Sequence, residues 1–356
     1  MSDRPDNRNQ AGVVLLVTLT VIVILLSLTF ALNRQARSLA ETSVASGHRM
    51  TLLNMAETGI QAGMAILIRD KNTSETDSIQ EDWANPDRLG RLLADLPFEG
   101  GSLDLRITDE QGKLQVNALA TPPNGRHFNE IQHQIWQRLI DGLATELNLD
   151  TDSVDTDTIL NSLKDWMDSD DDDAVTGFSG AESDYYQNLN PPYPCKNSPV
   201  DHVSELMLIK GIPRHLFDGT GKIPGLGQYV TAWPESLLTG QFGRININTA
   251  ELPVLAALLP PEKSHLASEM IEYRSQKSQS GFTNDLSNPI WYKQIHGLFD
   301  VVIPASHITA SSDIYRIQSK AVMDPFSLTV TVVVIREKDS RSGKYACRII
   351  YRESDW

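Results

Sequence analysis

The sequence predicts an α+β fold: a long N-terminal helix packed on an antiparallel sheet, with a large, mostly helical domain inserted between the strands. Three observations lead there. An apolar run, Val13 to Leu32, passes without a proline into a stretch of helical periodicity that lasts to about residue 70. Alternating apolar and polar residues mark strands at 102–119 and again at 314–351. Residues 124–308, between those two sets, carry amphipathic stretches of helical period.

The apolar run is uncharged, and at 1.5 Å per residue it covers about 30 Å, one bilayer core. A short polar leader precedes it, residues 1–12, in which Arg4 and Arg8 favour a cytoplasmic start and Asp3 and Asp6 dilute that bias. On its carboxyl side the run gives way to Asn33-Arg34-Gln35-Ala36-Arg37, which contains no A-x-A-like site for signal cleavage. Gly12 stands directly before the run. Residues 13–33 therefore read as a transmembrane helix that stays in the protein. Leu52, Leu53, Ala56, Ile60, Met64 and Leu67 continue at helical spacing, so one helix of about 85 Å is expected, ending near Asp70 in a polar loop from Lys71 to Asp82.

Leu103, Leu105 and Ile107 alternate with polar residues, Asp109 to Gly112 reads as a turn, and Lys113 to Leu119 returns with Leu114 and Val116. A hairpin is expected. Three further strands are expected at Ile314–Met323, Ser327–Arg336 and Tyr345–Tyr351. The helical stretches between the two sets are Phe128–Leu147, Asp157–Met167, Val203–Lys210, Ala250–Leu259 and Ser264–Arg274. The resulting plan is a sheet domain at 34–123 and 309–356, interrupted by an inserted domain at 124–308. A length of 356 residues fits about two folded units beside the membrane segment.

A formal net charge of -15 argues against nucleic acid as a partner, since that binding rests on Lys and Arg neutralising phosphates. Cys195 and Cys347 are the two cysteines, too few for a disulfide scaffold or a four-cysteine zinc site, and a single bridge between them is left open. The chain has no G-x-S-x-G, H-E-x-x-H or phosphate-binding glycine loop, and His202 and His215 stand alone. No enzyme is expected.

Charge is concentrated between Asp165 and Asp173, where Asp165, Asp168, Asp170, Asp171, Asp172 and Asp173 crowd together. Folding so many carboxylates into one loop calls for a counterion, and calcium, which takes six to eight oxygens in irregular loops, suits it better than octahedral magnesium. Asp168, Asp170 and Asp172 match the first alternate positions of an EF-hand, but Asp173 replaces its glycine and Ser179 its bidentate Glu. A longer loop is implied instead, with Glu182 and Asp184 as further ligands and Gly177 and Gly180 turning it back. A solvated acidic loop is the metal-free alternative, and Glu182 with Asp184 as a hydrolytic pair is a weaker one.

Several motifs occur in a fixed order: Asp165-Trp166-Met167-Asp168, Gly180-Ala181-Glu182-Ser183-Asp184-Tyr185-Tyr186, Pro191-Pro192-Tyr193, Asn197, Ser204-Glu205-Leu206 and Asn246 to Ala250. In this the chain resembles the K-type minor pseudopilins of type II secretion systems, and the stretch from Gly12 into the transmembrane helix resembles a type IV prepilin leader. That resemblance implies cutting by prepilin peptidase between Gly12 and Val13, methylation of the new N-terminus, and a single-pass inner-membrane protein with its bulk in the periplasm. It also implies a calcium-binding insertion, a pilin-like sheet, and a tip complex with I- and J-type pseudopilins from which the filament starts. Most pilins carry Glu at the fifth mature position; here it is Val17, which suits a tip subunit with no neighbour above it. A minor pilin of a type IV pilus is the alternative. So is an exported DNA binder, because Ser204–Ile212 and Asn246–Leu259 resemble helix-hairpin-helix modules; Pro213 and Pro260-Pro261 spoil the backbone-amide nests such modules need.

Overall fold

The computed structural model describes residues 8–94, 98, 100–121, 125–150, 154–169, 175–234, 240–279 and 281–356. Helix α1, Arg8–Lys71, runs 64 residues, about 96 Å. From Val13 to Met50 its large apolar side chains are exposed, as a lipid-facing segment requires, whereas Leu52, Met55, Ala56, Ile60 and Leu67 are buried on one stripe. Arg69 and Lys71 in the last turn place positive charge at the carboxyl end of the helix dipole.

That buried stripe lies on a four-stranded antiparallel sheet in the order β1 (Ser102–Asp109), β2 (Ile314–Met323), β3 (Phe326–Lys338), β4 (Tyr345–Asp355). In register, Ile107 faces Ile317, which faces Val332. With Leu105, Val330 and Val334 they form the core against α1, closed at one side by Trp83, Leu89 and Leu93, the last two from α2 (Pro86–Ala94). The opposite face carries a smaller core of Ile314, Val333 and Ile335 under Trp233 of the inserted domain. Helix and insertion thus cover the two faces of one sheet.

The helix approaches the sheet closely at Gly63, where an added Cβ would lie 2.9 Å from Cγ2 of Ile317. Gly63→Leu is therefore expected to destabilise the protein by about 1–3 kcal/mol through overpacking. Gly142→Leu, in the interior of α3 (Glu130–Glu146) with no atom within 4 Å of the added Cβ, is expected to stabilise by up to about 1 kcal/mol through helix propensity. Thermal melts of the two variants should shift in opposite directions.

The expected hairpin does not form. β1 pairs with β2, more than 200 residues later in the chain (Asp109 opposite Tyr315), and the Glu110 amide donates to the Ile314 carbonyl. The segment after the turn leaves the sheet: Leu114–Gln115 pairs in parallel with Val230–Thr231 and Val116–Ala118 makes a 3₁₀ turn. The reason is burial, since Leu114, Val116 and Leu119 all go fully into the core of the inserted domain. The chain enters that domain about a dozen residues earlier than the periodicity implied.

The insertion is built from α3, α4 (Thr156–Met167), α5 (Ser183–Gln187), α6 (Arg214–Asp218), α7 (Leu226–Tyr229), α8 (Leu252–Leu258) and α9 (Ala267–Ser275) around one core that includes Trp136, Leu160 and Leu255. Asn129 and Asp155 cap α3 and α4 by accepting from the Gln132 and Asp157 amides. Val203–Leu208, expected as an α-helix, is 3₁₀, capped by His202 and Glu205. Ser264–Arg274 divides into a 3₁₀ segment, Pro261–Leu266, and α9.

Candidate functional site

Helix α4 ends in the acidic stretch, and its last two turns set the site. Asp165 and Asp168 stand three residues apart, on one side of the helix end, and Glu182 immediately precedes α5. All three are buried, and one carboxylate oxygen from each lies within 4.8 Å of the others. That limit is the greatest separation two oxygens can have when both sit about 2.4 Å from one ion, the distance calcium prefers. Lys164 Nζ reaches Asp168 Oδ2 at 2.9 Å and Thr176 Oγ1 at 2.9 Å.

The carboxylate of Asp165 also organises the loop: it accepts from the Thr176 amide at 3.1 Å and the Ala181 amide at 2.9 Å. Gly180 lies against it so closely that any side chain there would strike Oδ2 and the Thr176 backbone. On the far side Lys210 Nζ donates to the carbonyls of Ser179 and Gly180 at 3.1 and 3.0 Å. Trp166, Tyr186 and Tyr193 pack edge-on and stacked beneath, with ring centroids 5.2–6.3 Å apart. Burial raises the Asp165 pKa above its ordinary value, against the loop amides and Lys164. A hard cation would reverse that by favouring the ionised form, and an all-oxygen carboxylate set held by a close-packed glycine loop is chemically suited to calcium.

Of the residues expected to ligate metal, Asp168 and Glu182 are brought together here. Asp184 is exposed on α5, where its carbonyl accepts from Asn188; Asp170 and Asp172 lie outside the described residues. Asp165, not expected as a ligand, completes the cluster. Its signal was present in the i, i+3 spacing to Asp168 on a helix. Gly12 and Val13 lie within α1, and the first seven residues of the leader are outside the described set. Both cysteines are free thiols: Cys195 is buried in the insertion and Cys347 lies on β4, with burial raising them to about 12 and about 11.

A second polar centre fixes the insertion to the sheet. Asp77, in the loop after α1, is fully buried; its Oδ1 accepts from Arg336 Nη2 and the Tyr315 hydroxyl, both at 2.5 Å, and its Oδ2 from the Ser312 amide at 2.9 Å. Its amide donates to the Ala310 carbonyl, and its carbonyl accepts from Asn246 and Asn248 side chains. Asp109, at the end of β1, accepts from Asn246, Thr249 and Ser312 at 2.6–2.9 Å. Four segments distant in sequence are thereby tied at one point. The Asn-Ile-Asn-Thr motif works as a hydrogen-bond hub rather than as an opening to nucleic acid.

Beside this centre, Glu81 accepts from the Ser78 amide and Trp83 Nε1, yet burial, with Asp70 and Asp77 near it, pushes it up to about 8. A raised carboxyl pKa contributes stability in full below the unfolded value and loses it as pH rises through the folded one. Wild type should therefore lose more thermal stability between pH 5 and pH 8 than Glu81→Gln, as melts of both proteins at the two values would reveal.

A helix long and apolar enough to cross a membrane that continues into the core of an antiparallel sheet, with a helical domain set between the strands, is the architecture of a pilin-like subunit. Residues 112–235 match the family described as "Type II secretion system (T2SS), protein K". Type II secretion system protein K of Klebsiella pneumoniae is 27% identical over 303 residues, covering 81% of this chain and 82% of its own length. The protein of that name from Pseudomonas aeruginosa is 27% identical over 289 residues, 79% and 78% of the two chains. A chain from the crystal structure of the GspK-GspI-GspJ complex of enterotoxigenic Escherichia coli has the same fold, with a TM-score of 0.63 at 18% identity, over 89% of this chain and 99% of that one. Residues 112–235 thus carry the protein K domain of type II secretion systems, and similarity to proteins of that name extends over about four fifths of the chain.

Proposed function

We propose that this protein caps the type II pseudopilus, joined below to I- and J-type minor pseudopilins, and that its insertion is what makes the position terminal. One observation carries the reading: the Asp77 junction lies just past the end of α1. Counting from Leu32 to Lys71, that is about 60 Å along the helix from the membrane segment. A domain held rigidly at that height stands where the next subunit of a stack would sit, so growth proceeds from below. A related complex of K, I and J subunits supports the same partners for this chain. Prepilin peptidase would cut between Gly12 and Val13, with the head in the periplasm and α1 retained in the inner membrane until assembly. Val17 leaves the fifth mature position without a carboxylate, in keeping with a subunit that needs no neighbour above.

Calcium is the proposed cofactor, held by Asp165, Asp168 and Glu182, and its role is to fix the loop on which the shape of the insertion depends. Immunogold labelling of pseudopili tests the cap directly: label confined to one end of each filament is the expected result, and label along the filament overturns it. Co-purification with I- and J-type subunits from detergent tests the partners independently.

A further inference from the structure

We propose that the cleft between the insertion and the uncovered part of the sheet binds an extended polypeptide segment through a carboxylate, with Arg106 and Arg316 as its cationic clamp. The cleft has a volume of about 530 Å³, within the range typical of ligand sites, and lies at a domain interface, where such sites concentrate.

Its floor is the face of the sheet opposite α1. Thr108 pairs with Arg316 and Arg106 with Gln318, so the two arginines lie diagonally on one face of adjacent strands. Lys113 completes the floor. One carboxylate already occupies this cluster: Glu110, fully buried, lies 2.9 Å from Lys113 Nζ and 2.8 Å from Arg316 Nε, and accepts from Thr231 of the insertion at 2.7 Å. Those two cations hold it at about 2 against the cost of burial. The acidic groups on the rim have partners of their own. Asp201 pairs at 2.7 Å with Lys196, which Glu205 shares at 2.8 Å; Asp218 pairs with Arg214 at 2.9 Å, and Glu353 accepts from Tyr351 at 3.0 Å.

Arg106 is exposed and makes no ion pair among the described residues. Of the three cations on the floor, Lys113 and Arg316 already share Glu110, which leaves Arg106 as the one with no ion pair among the described residues. An arginine pair that is open on one side favours a planar, bidentate acceptor. The rest of the lining is mixed, with Phe217, Trp233 and Tyr351 as aromatic walls and Gln228 and Gln318 as amide donors and acceptors. A lone small anion would leave these walls unused, whereas a peptide supplies apolar side chains and backbone amides together with the carboxylate.

The test uses the full chain in detergent micelles, titrated calorimetrically with a capped pentapeptide, acetyl-Ala-Tyr-Glu-Val-Ala-amide, its Gln counterpart, and the Gln peptide with a free C-terminal carboxylate. Binding of either carboxylate peptide about tenfold or more tighter than the uncharged one is expected, from the loss of a charge-assisted bidentate contact. Whichever of the two binds identifies a side chain or a chain terminus as the source. Arg106→Gln should weaken that binding about tenfold, while Arg348→Gln, whose partner is Glu337 on the neighbouring strand, should not. Equal affinity for charged and uncharged peptides, no binding, or indifference to Arg106→Gln overturns the proposal.

Discussion

Arg336→Met should destabilise the protein by about 3–5 kcal/mol, the cost of removing one partner from a buried ion pair. Arg336 is fully buried and reaches Asp77, the Ser312 carbonyl, the Tyr315 hydroxyl and the Leu67 carbonyl within 2.5–3.1 Å. Methionine fills much of the stem's volume but leaves the Asp77 carboxylate buried, with Lys71 at 3.7 Å as its remaining cation. Because Asp77 also tethers Ala310, Asn246 and Asn248, the damage should extend beyond the sheet. Limited proteolysis should cut near residues 110–113 and 310–313 in the variant at temperatures where wild type resists. Adding Asp77→Asn removes the stranded charge, so the double variant should be more stable than Arg336→Met alone, a coupling a double-mutant cycle measures. A melting shift equivalent to less than about 1 kcal/mol would mean that the pair is not the element holding the two domains together.

That junction was also the least legible part of the sequence. Helix α1 and strands β2 to β4 are legible from local apolar pattern, and β2 begins and ends where the alternation placed it, although α1 buries its stripe only from Leu52 onward and β4 stays partly exposed at the sheet edge. Asp109 to Gly112 looked like a hairpin turn for the same local reason. Its true partner, Tyr315, lies about two hundred residues away, and the deciding contacts of Asp109 come from Asn246, Thr249 and Ser312. No window short enough to show a period contains both sides of such a contact. Arg336 and Asp77 were equally invisible, one the first of three charged residues that end a strand and the other one of four acids in a polar loop. The acidic centre was partly legible: its composition announced excess charge, but which carboxylates converge depends on where α4 stops, and the helix ends at Met167 with Asp165 turned inward. Asn246 and Asn248 stood out as a motif, yet their role as a hub depends on the same distant segments.

The second large effect concerns calcium and carries its own sign. Without a cation, the buried Asp165 carboxyl has a raised pKa. Its contribution to stability is then complete below the ordinary aspartate value and is lost as pH rises through the folded value. The proposed calcium would bind the ionised carboxylates and so oppose that loss, and the gap in melting temperature between calcium-loaded and chelated protein should widen from acid to neutral pH. At a free calcium concentration about a hundredfold above Kd the stabilisation is about 2.7 kcal/mol. Asp165→Asn gives the diagnostic contrast. The amide oxygen can still accept from the Thr176 and Ala181 amides, so the loop keeps its tie while one charge disappears. At neutral pH the chelated variant should match or exceed chelated wild type, yet gain little on adding calcium. Glu182→Gln should lose the calcium response in the same way. Equal melting curves for calcium-loaded and chelated wild type, once metal removal is verified by elemental analysis, would assign the three carboxylates to Lys164 and the loop amides alone.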